Sequence, residues 1–150
     1  VASGADGARG GPVAVELLRG LGLATRTDTV PDDPDRITAA IRDAIGAGAR
    51  VVLACGGTGI GPRDHTPEAV ASLLSYQVPG IAEEIRRRGL AHTPQALVSR
   101  EVAGVVAGQP GHATLVVAVP GSRGGMRDAI AVLGAQLRYI VDQLDGAGHQ

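Results

Sequence analysis

The chain has 150 residues, a formal net charge of −1 and an isoelectric point near 6.5. That length suits one domain with a real core, one that buries about 68–70% of the surface its unfolded chain would expose. With no Phe, no Trp and two tyrosines, Tyr76 and Tyr139, it lacks the stacking platforms and the basic footprint expected of a nucleic-acid binder. The single cysteine, Cys55, permits no intrachain disulfide and no cysteine cluster for zinc, so a reducing, cytoplasmic setting is expected. No apolar run approaches the roughly 18–20 residues of a membrane span, and no signal peptide is visible. The expectation is a single domain over residues 1–150 with neither a nucleic-acid nor a membrane partner.

In chain order, "VAS" (1–3) reads as the end of a first strand. "GPVAVELLRGLGL" predicts a helix after Gly11, with Pro12 at its first position, where a missing N–H costs nothing. A short strand is expected within 25–30. "PDDPDRITAAIRDAIGAGA" opens a second helix: Pro34 takes the first position, Asp33 the N-cap, and Asp35 complements the dipole in the first turn. Ile37, Ile41 and Ile45 recur on one face of it. "VVLAC" (51–55) is a continuous apolar run, the mark of a parallel strand covered on both faces. A helix from Pro67 to about Ser75 follows, with Thr66 as its expected N-cap. "VPGIAEEIRRRG" is another helix, ending in solvated pairs Glu83–Arg87 and Glu84–Arg88. "TPQALVSR" is a short one capped by Thr93. "VAGVVAG" and "ATLVVAVP" are strands joined by a hairpin-like turn at "QPGH". One long helix is expected from about Met126 to Leu144, and "DGAGHQ" is a polar tail. Strands alternating with helices predict a three-layer α/β/α fold, its sheet mostly parallel with a short antiparallel hairpin.

The chemistry-bearing stretch is "CGGTGIGPRDHTPEA" (55–69), at the carboxyl end of a predicted strand, where ligands of such folds bind. Gly56, Gly57 and Gly59 can bring backbone N–H groups close to an anion, and Thr58 adds a hydroxyl. A tight ligand-free turn is the plainer reading of these glycines, and the flanking strand, helix and carboxylate favour the functional one. No Gly-Lys-Ser/Thr follows, so this is not the phosphate loop of nucleotide hydrolases. Helix capping accounts for Thr66, Pro67 and Glu68 but not for Asp64. A carboxylate beside a phosphate cradle calls for a cation between them, Mg²⁺ being the usual one, so Asp64 is a candidate metal ligand. Asp32, left over from the capping of the second helix and also at a strand's carboxyl end, is the second candidate. Arg63 could meet a phosphate or simply solvent. Cys55 reads as a small buried hydrophobe, and His65, His92, His112 and His149 show no ligand spacing.

"GGTGIGPRDHTPEA" resembles the signature of the molybdopterin-binding domain of the MogA/MoaB family. "VPDD" (30–33), "VPGIAEEIR" (78–86), "TPQALVSREVAGV" (93–105) and "AVPGS" (118–122) resemble its other segments in the same order. The resemblance implies a substrate, molybdopterin, and transfer of AMP from ATP to its terminal phosphate with Mg²⁺. It implies catalytic and metal-binding roles for Asp32 and Asp64, and substrate binding by Ser3, Gly56, Gly57, Thr58, Gly59, Pro120, Gly121 and Ser122. It further implies a homotrimer, with other molybdenum cofactor biosynthesis proteins as possible partners. Two loops depart from the family's pattern. "SGAD" (3–6) and "ARGG" (8–11) stand where it carries Ser-Asp and Asp-x-Ser-Gly, and Arg123-Gly124 replaces Pro-Lys after the closing turn. These departures leave a second reading open, a divergent paralogue that binds the pterin without transferring AMP.

Overall fold

The computed structural model describes residues 1–108 and 111–147, with the backbone alone at 4–8. The apolar runs become strands β1 (Ala2–Ser3), β2 (Thr29–Val30), β3 (Val51–Cys55), β4 (Tyr76–Gln77), β5 (Val102–Val106) and β6 (Thr114–Val119). They form one sheet in the order β2-β1-β3-β6-β5-β4. β2, β1, β3 and β6 run parallel, while β5 and β4 are antiparallel to their neighbours. The helices are α1 (Gly4–Gly20), α2 (Pro34–Gly46), α3 (Thr66–Leu73), α4 (Pro79–Leu90), α5 (Arg123–Gly134) and α6 (Leu137–Leu144), with a 3₁₀ helix at Pro94–Val98.

Side chains alternate across a strand, so each central strand feeds two cores. Val52, Ala54, Val116 and Ala118 pack with Ile37 and Ile41 of α2 and Ala69 and Val70 of α3. Leu53, Cys55, Leu115, Val117 and Val119 pack on the opposite face with Ala14 of α1, Ile85 of α4 and Met126, Ala129, Ile130 and Leu133 of α5. The expected three layers and the antiparallel hairpin are therefore present. Asp33 caps α2 as expected, its carboxylate accepting from the N–H groups of Asp35 and Arg36 at 2.8 and 3.3 Å.

Several expectations are corrected. α1 begins at Gly4, not after Gly11, so Pro12 lies inside it. Tertiary contact overrides the proline signal here: Gly10 is buried so close to the 120–122 turn that an added Cβ would sit 2.7 Å from the Gly121 carbonyl oxygen. The long C-terminal helix is two helices. The Gln136 N–H closes the first on Leu133 O at 2.9 Å, and its carbonyl opens the second on Ile140 N at 2.8 Å. Gly134 weakens the helix at that point. Ile140 and Leu144 of α6 pack against the core, and Asp145 just beyond it pairs with Arg50 at 2.5 Å. Thr93 makes no side-chain cap bond. Arg87 turns to Glu84, three residues back, instead of Glu83. Edge strand β4, too short for a sequence signal, was not expected. Of the "QPGH" turn, Gln109 and Pro110 lie outside the described residues, as do His149 and Gln150 of the tail.

Gly104, in the middle of β5, has no room for a side chain. A Cβ there would lie 2.4 Å from the Tyr76 carbonyl oxygen and 2.5 Å from Leu74 Cδ1. Gly104→Ala should therefore destabilise the protein by about 1–3 kcal/mol, the usual scale of overpacking. Urea denaturation of the two proteins measures it, and an unchanged midpoint would mean that β4 shifts freely.

Candidate functional site

Three parallel strands end level with one another. Cys55 of β3 stands opposite Ala2 of β1 and Val119 of β6. The chain beyond each strand therefore arrives at the same edge of the sheet, and the site is built from those continuations.

After β3, Gly56 and Gly57 take φ values of 92° and 62°, the left-handed region that side chains disfavour. The Gly56 N–H is held by Val119 O at 3.0 Å, and the Gly57 carbonyl accepts from the Thr66 N–H at 3.2 Å. This second bond draws Thr66 beneath the turn. It explains why the expected N-cap role fails: Thr66 is the first residue of α3, fully buried, and its hydroxyl meets the Ser3 hydroxyl at 3.2 Å. Ser3 also reaches Cys55 O at 3.4 Å. Ser3 and Gly56 thus brace the turn from below and do not line the cavity above it.

Further along the loop, Asp64 Oδ2 accepts from the Gly61 N–H at 2.8 Å, and Oδ1 has no partner among the described residues. The loop wraps this carboxylate so closely that a Cβ on Gly59 would be 2.7 Å from Oδ2. The loop's outer anchor is a residue given no role by the sequence reading, Arg100. Its backbone N–H donates to Thr58 O at 2.7 Å, its Nε to Gly59 O at 2.7 Å and its Nη2 to Asp64 O at 3.0 Å. Its Nη1 binds Glu68, and that bond holds the Glu68 carboxyl below its ordinary pKa. Its sequence signal was its place in "TPQALVSREVAGV", one of the segments that resemble the family, where no role was attached to it.

Gly57, Thr58, Gly59 and Asp64 line a cavity of about 240 Å³ together with Gln95, Ser99, Pro120, Gly121 and Ser122. Ser122 is also the N-cap of α5, accepting from the Gly125 N–H at 3.1 Å, so the positive end of that helix starts at the cavity wall. Gln95 and Ser99 were not singled out as site residues. Asp32 is exposed beyond β2, makes no hydrogen bond among the described residues, and is not part of the lining. Arg63 is exposed and also outside the lining. A larger cavity, about 570 Å³, opens on the far side of Arg100, but its two arginines are already paired, Arg86 with Glu101 and Arg100 with Glu68. Cys55 is buried, and burial pushes its thiol up to about 11, which fits a packing role and not a nucleophile.

Residues 7–139 match the family model described as "Probable molybdopterin binding domain". This chain belongs to that family. It is 38% identical over 142 residues to a molybdenum cofactor biosynthesis bifunctional protein of Synechococcus elongatus, covering 94% of this chain and 43% of that protein. It is 32% identical over 142 residues to a protein of Pyrococcus furiosus named molybdopterin adenylyltransferase, covering 92% and 83%. The chain spans less than half the length of the bifunctional relatives that it matches. Its fold superposes on the molybdopterin biosynthesis Mog protein of Mycobacterium ulcerans with a TM-score of 0.83, at 38% identity over 92% of this chain and 87% of that one.

Within this molybdopterin-binding domain, the fit to a divalent cation turns on Asp64. Among the described residues no group of three or more His, Cys, Asp or Glu side chains forms a protein cage for a metal. Mg²⁺ does not need one: it takes one or two carboxylates and fills the rest of its octahedron with water and substrate phosphate. An Asp64 oxygen without a partner among the described residues suits that donor set.

Gly57 is the tightest point of the cradle. A Cβ there would fall 2.6 Å from Thr66 Oγ1, on a backbone already at positive φ. Gly57→Ala should cost about 1–2 kcal/mol from the backbone conformation alone, plus the clash. Pairing it with Thr66→Ala removes the clash and leaves the φ term. Thermal denaturation of the single and double variants checks this, the double being expected to recover part of the loss relative to Thr66→Ala.

Proposed function

We propose that this domain acts in molybdenum cofactor biosynthesis as a molybdopterin adenylyltransferase. The observation that carries the reading is the convergence of the glycine loop, Asp64 and the Pro120–Ser122 turn on one cavity, in a chain of the molybdopterin-binding family. A terminal phosphate oxygen of molybdopterin attacks the α-phosphorus of ATP. The new P–O bond forms as the bond to the β-phosphate's bridging oxygen breaks, and pyrophosphate leaves. Such transfers need positioning and charge neutralisation more than covalent help.

In this reading the N–H groups of the 57–59 turn and the start of α5 hold phosphate oxygens, supported by the Thr58 and Ser122 hydroxyls. Pro120 and Gly121 shape the opposite wall. Asp64 orients the reacting phosphates from the loop, and Asp32, which lies beyond β2 and outside the cavity lining, is the second carboxylate that the family resemblance assigns. Ser3 and Gly56 serve the substrate indirectly, by fixing the turn. Bound Mg²⁺ neutralises charge on the triphosphate, with Asp64 and Asp32 as the residues that would hold it. The family resemblance extends the proposal to a cytoplasmic homotrimer of single domains, which light scattering on the purified protein tests for assembly.

The decisive experiment mixes the protein with molybdopterin, ATP and Mg²⁺ and measures adenylated molybdopterin and pyrophosphate. Asp64→Asn should lower turnover about 10²-fold or more, the scale of one lost electrostatic contact in a transition state. Asp32→Asn should also lower it. Asp33→Asn should be nearly silent, because Asn caps helices as well as Asp does. Loss of turnover in Asp33→Asn alone would reverse the assignment within "PDDPD". Tight pterin binding with no turnover in the unmodified protein would favour the paralogue that binds without catalysis.

A further inference from the structure

Between Thr58 and Asp64, every hydrogen bond that leaves the glycine loop ends on Arg100, among the described residues. Arg100 itself lines the larger neighbouring cavity and not the one that Thr58, Gly59 and Asp64 line. The carbonyls of those three residues are therefore drawn toward Arg100. Among the described residues there is no cis peptide bond, and in a trans peptide the N–H points opposite to the carbonyl of the same unit. Fixing the Thr58 and Gly59 carbonyls on Arg100 thus turns the N–H groups of Gly59 and Ile60 away from it. The third bond holds the Asp64 backbone in register while its carboxylate stays on the Gly61 N–H.

We infer that Arg100 is the positioning residue of this site: it acts by geometry, orienting the loop's anion-binding N–H groups and Asp64, and it touches no substrate. The inference rests on the reading that the cavity receives a phosphate. The charge of Arg100 is taken up by Glu68, so what the guanidinium contributes is a planar fork that reaches several acceptors at once. A lysine keeps the charge and loses the fork, which separates the two explanations.

The test compares Arg100→Lys with the unmodified protein, alone and combined with Asp64→Asn. In the ligand-free protein, amide hydrogen exchange should quicken across residues 56–64 while β3 and β6 keep their protection. AMP transfer, as kcat/KM for molybdopterin, should fall about 10²-fold, the penalty for a small misplacement of catalytic groups. The double variant should fall little further than the worse single variant, because both changes act through Asp64. Full activity in Arg100→Lys would overturn the inference, since charge alone would then suffice. So would unchanged loop exchange, exchange that rises through the whole chain, or strictly multiplicative losses in the double variant. Absence of AMP transfer in the unmodified protein would count against the adenylyltransferase reading alone. Arg100 would then be judged on loop exchange and on molybdopterin affinity by calorimetry, both expected to worsen in Arg100→Lys and either one overturning the inference if unchanged.

Discussion

Everything at the site depends on β3 being paired in parallel with β1 on one side and β6 on the other, with Cys55 level with both Ala2 and Val119. Parallel strands cannot be joined by tight hairpins, so each is followed by a crossover that begins at the same edge of the sheet. The level endings place the Gly56–Gly57 turn and Pro120–Ser122 side by side, with Ser3 beneath. A slip of one residue in β3 would exchange Val52 and Ala54 with Leu53 and Cys55 between the two cores, so burial on both faces enforces the register that aligns the site.

That alignment has a steric consequence. Three chain turns and the starts of helices share a small region, and backbone must approach backbone. Gly10 lies against Gly121, and a Cβ on Gly125 would stand 2.5 Å from Pro120 Cβ. The glycines of the site are thus demanded by packing as well as by access of an anion to N–H groups. One residue type serves both needs because each is a need for bare backbone.

This also decides what the sequence could disclose. Burial periodicity is written along the chain, so "VVLAC" and the Ile37–Ile41 face were legible, as was the Asp33 cap, a local hydrogen-bond pattern. The glycine loop with Asp64 was legible because it follows a strand directly. Thr66 was misread because its hydroxyl is claimed by Ser3, 63 residues away, a competitor that no local pattern reveals. The start of α1 was misplaced for the same kind of reason, contact with a turn over a hundred residues on. Arg100 reaches carbonyls 41 and 36 residues back, so although its segment resembles the family's, no local pattern shows what its side chain holds. In "EEIRRR" the sequence reading gave partners to Arg87 and Arg88 and none to Arg86, yet of the three it is Arg86 that turns to Ser99 and Glu101.

Arg86 shows how the support is layered. From α4 its Nε donates to Ser99 O at 2.8 Å, and its Nη2 lies 3.1 Å from Glu101 Oε2, with Glu101 almost wholly buried. These contacts fix the backbone on both sides of Arg100, and Arg100 fixes the glycine loop. Burial of the Glu101 carboxylate carries a large desolvation cost, and among the described residues no hydrogen bond is aligned on Oε2. A pair of that kind adds little net stability compared with an apolar packing, although stripping it of one partner costs about 3–5 kcal/mol. Its value here is directional. An apolar contact would hold the 99–101 segment against α4 without specifying which way its carbonyls face, whereas the guanidinium specifies it by bonding Ser99 O. The order of constraint then runs from the Arg86–Glu101 ion pair, through the fork of Arg100, to the peptide planes of the glycine loop.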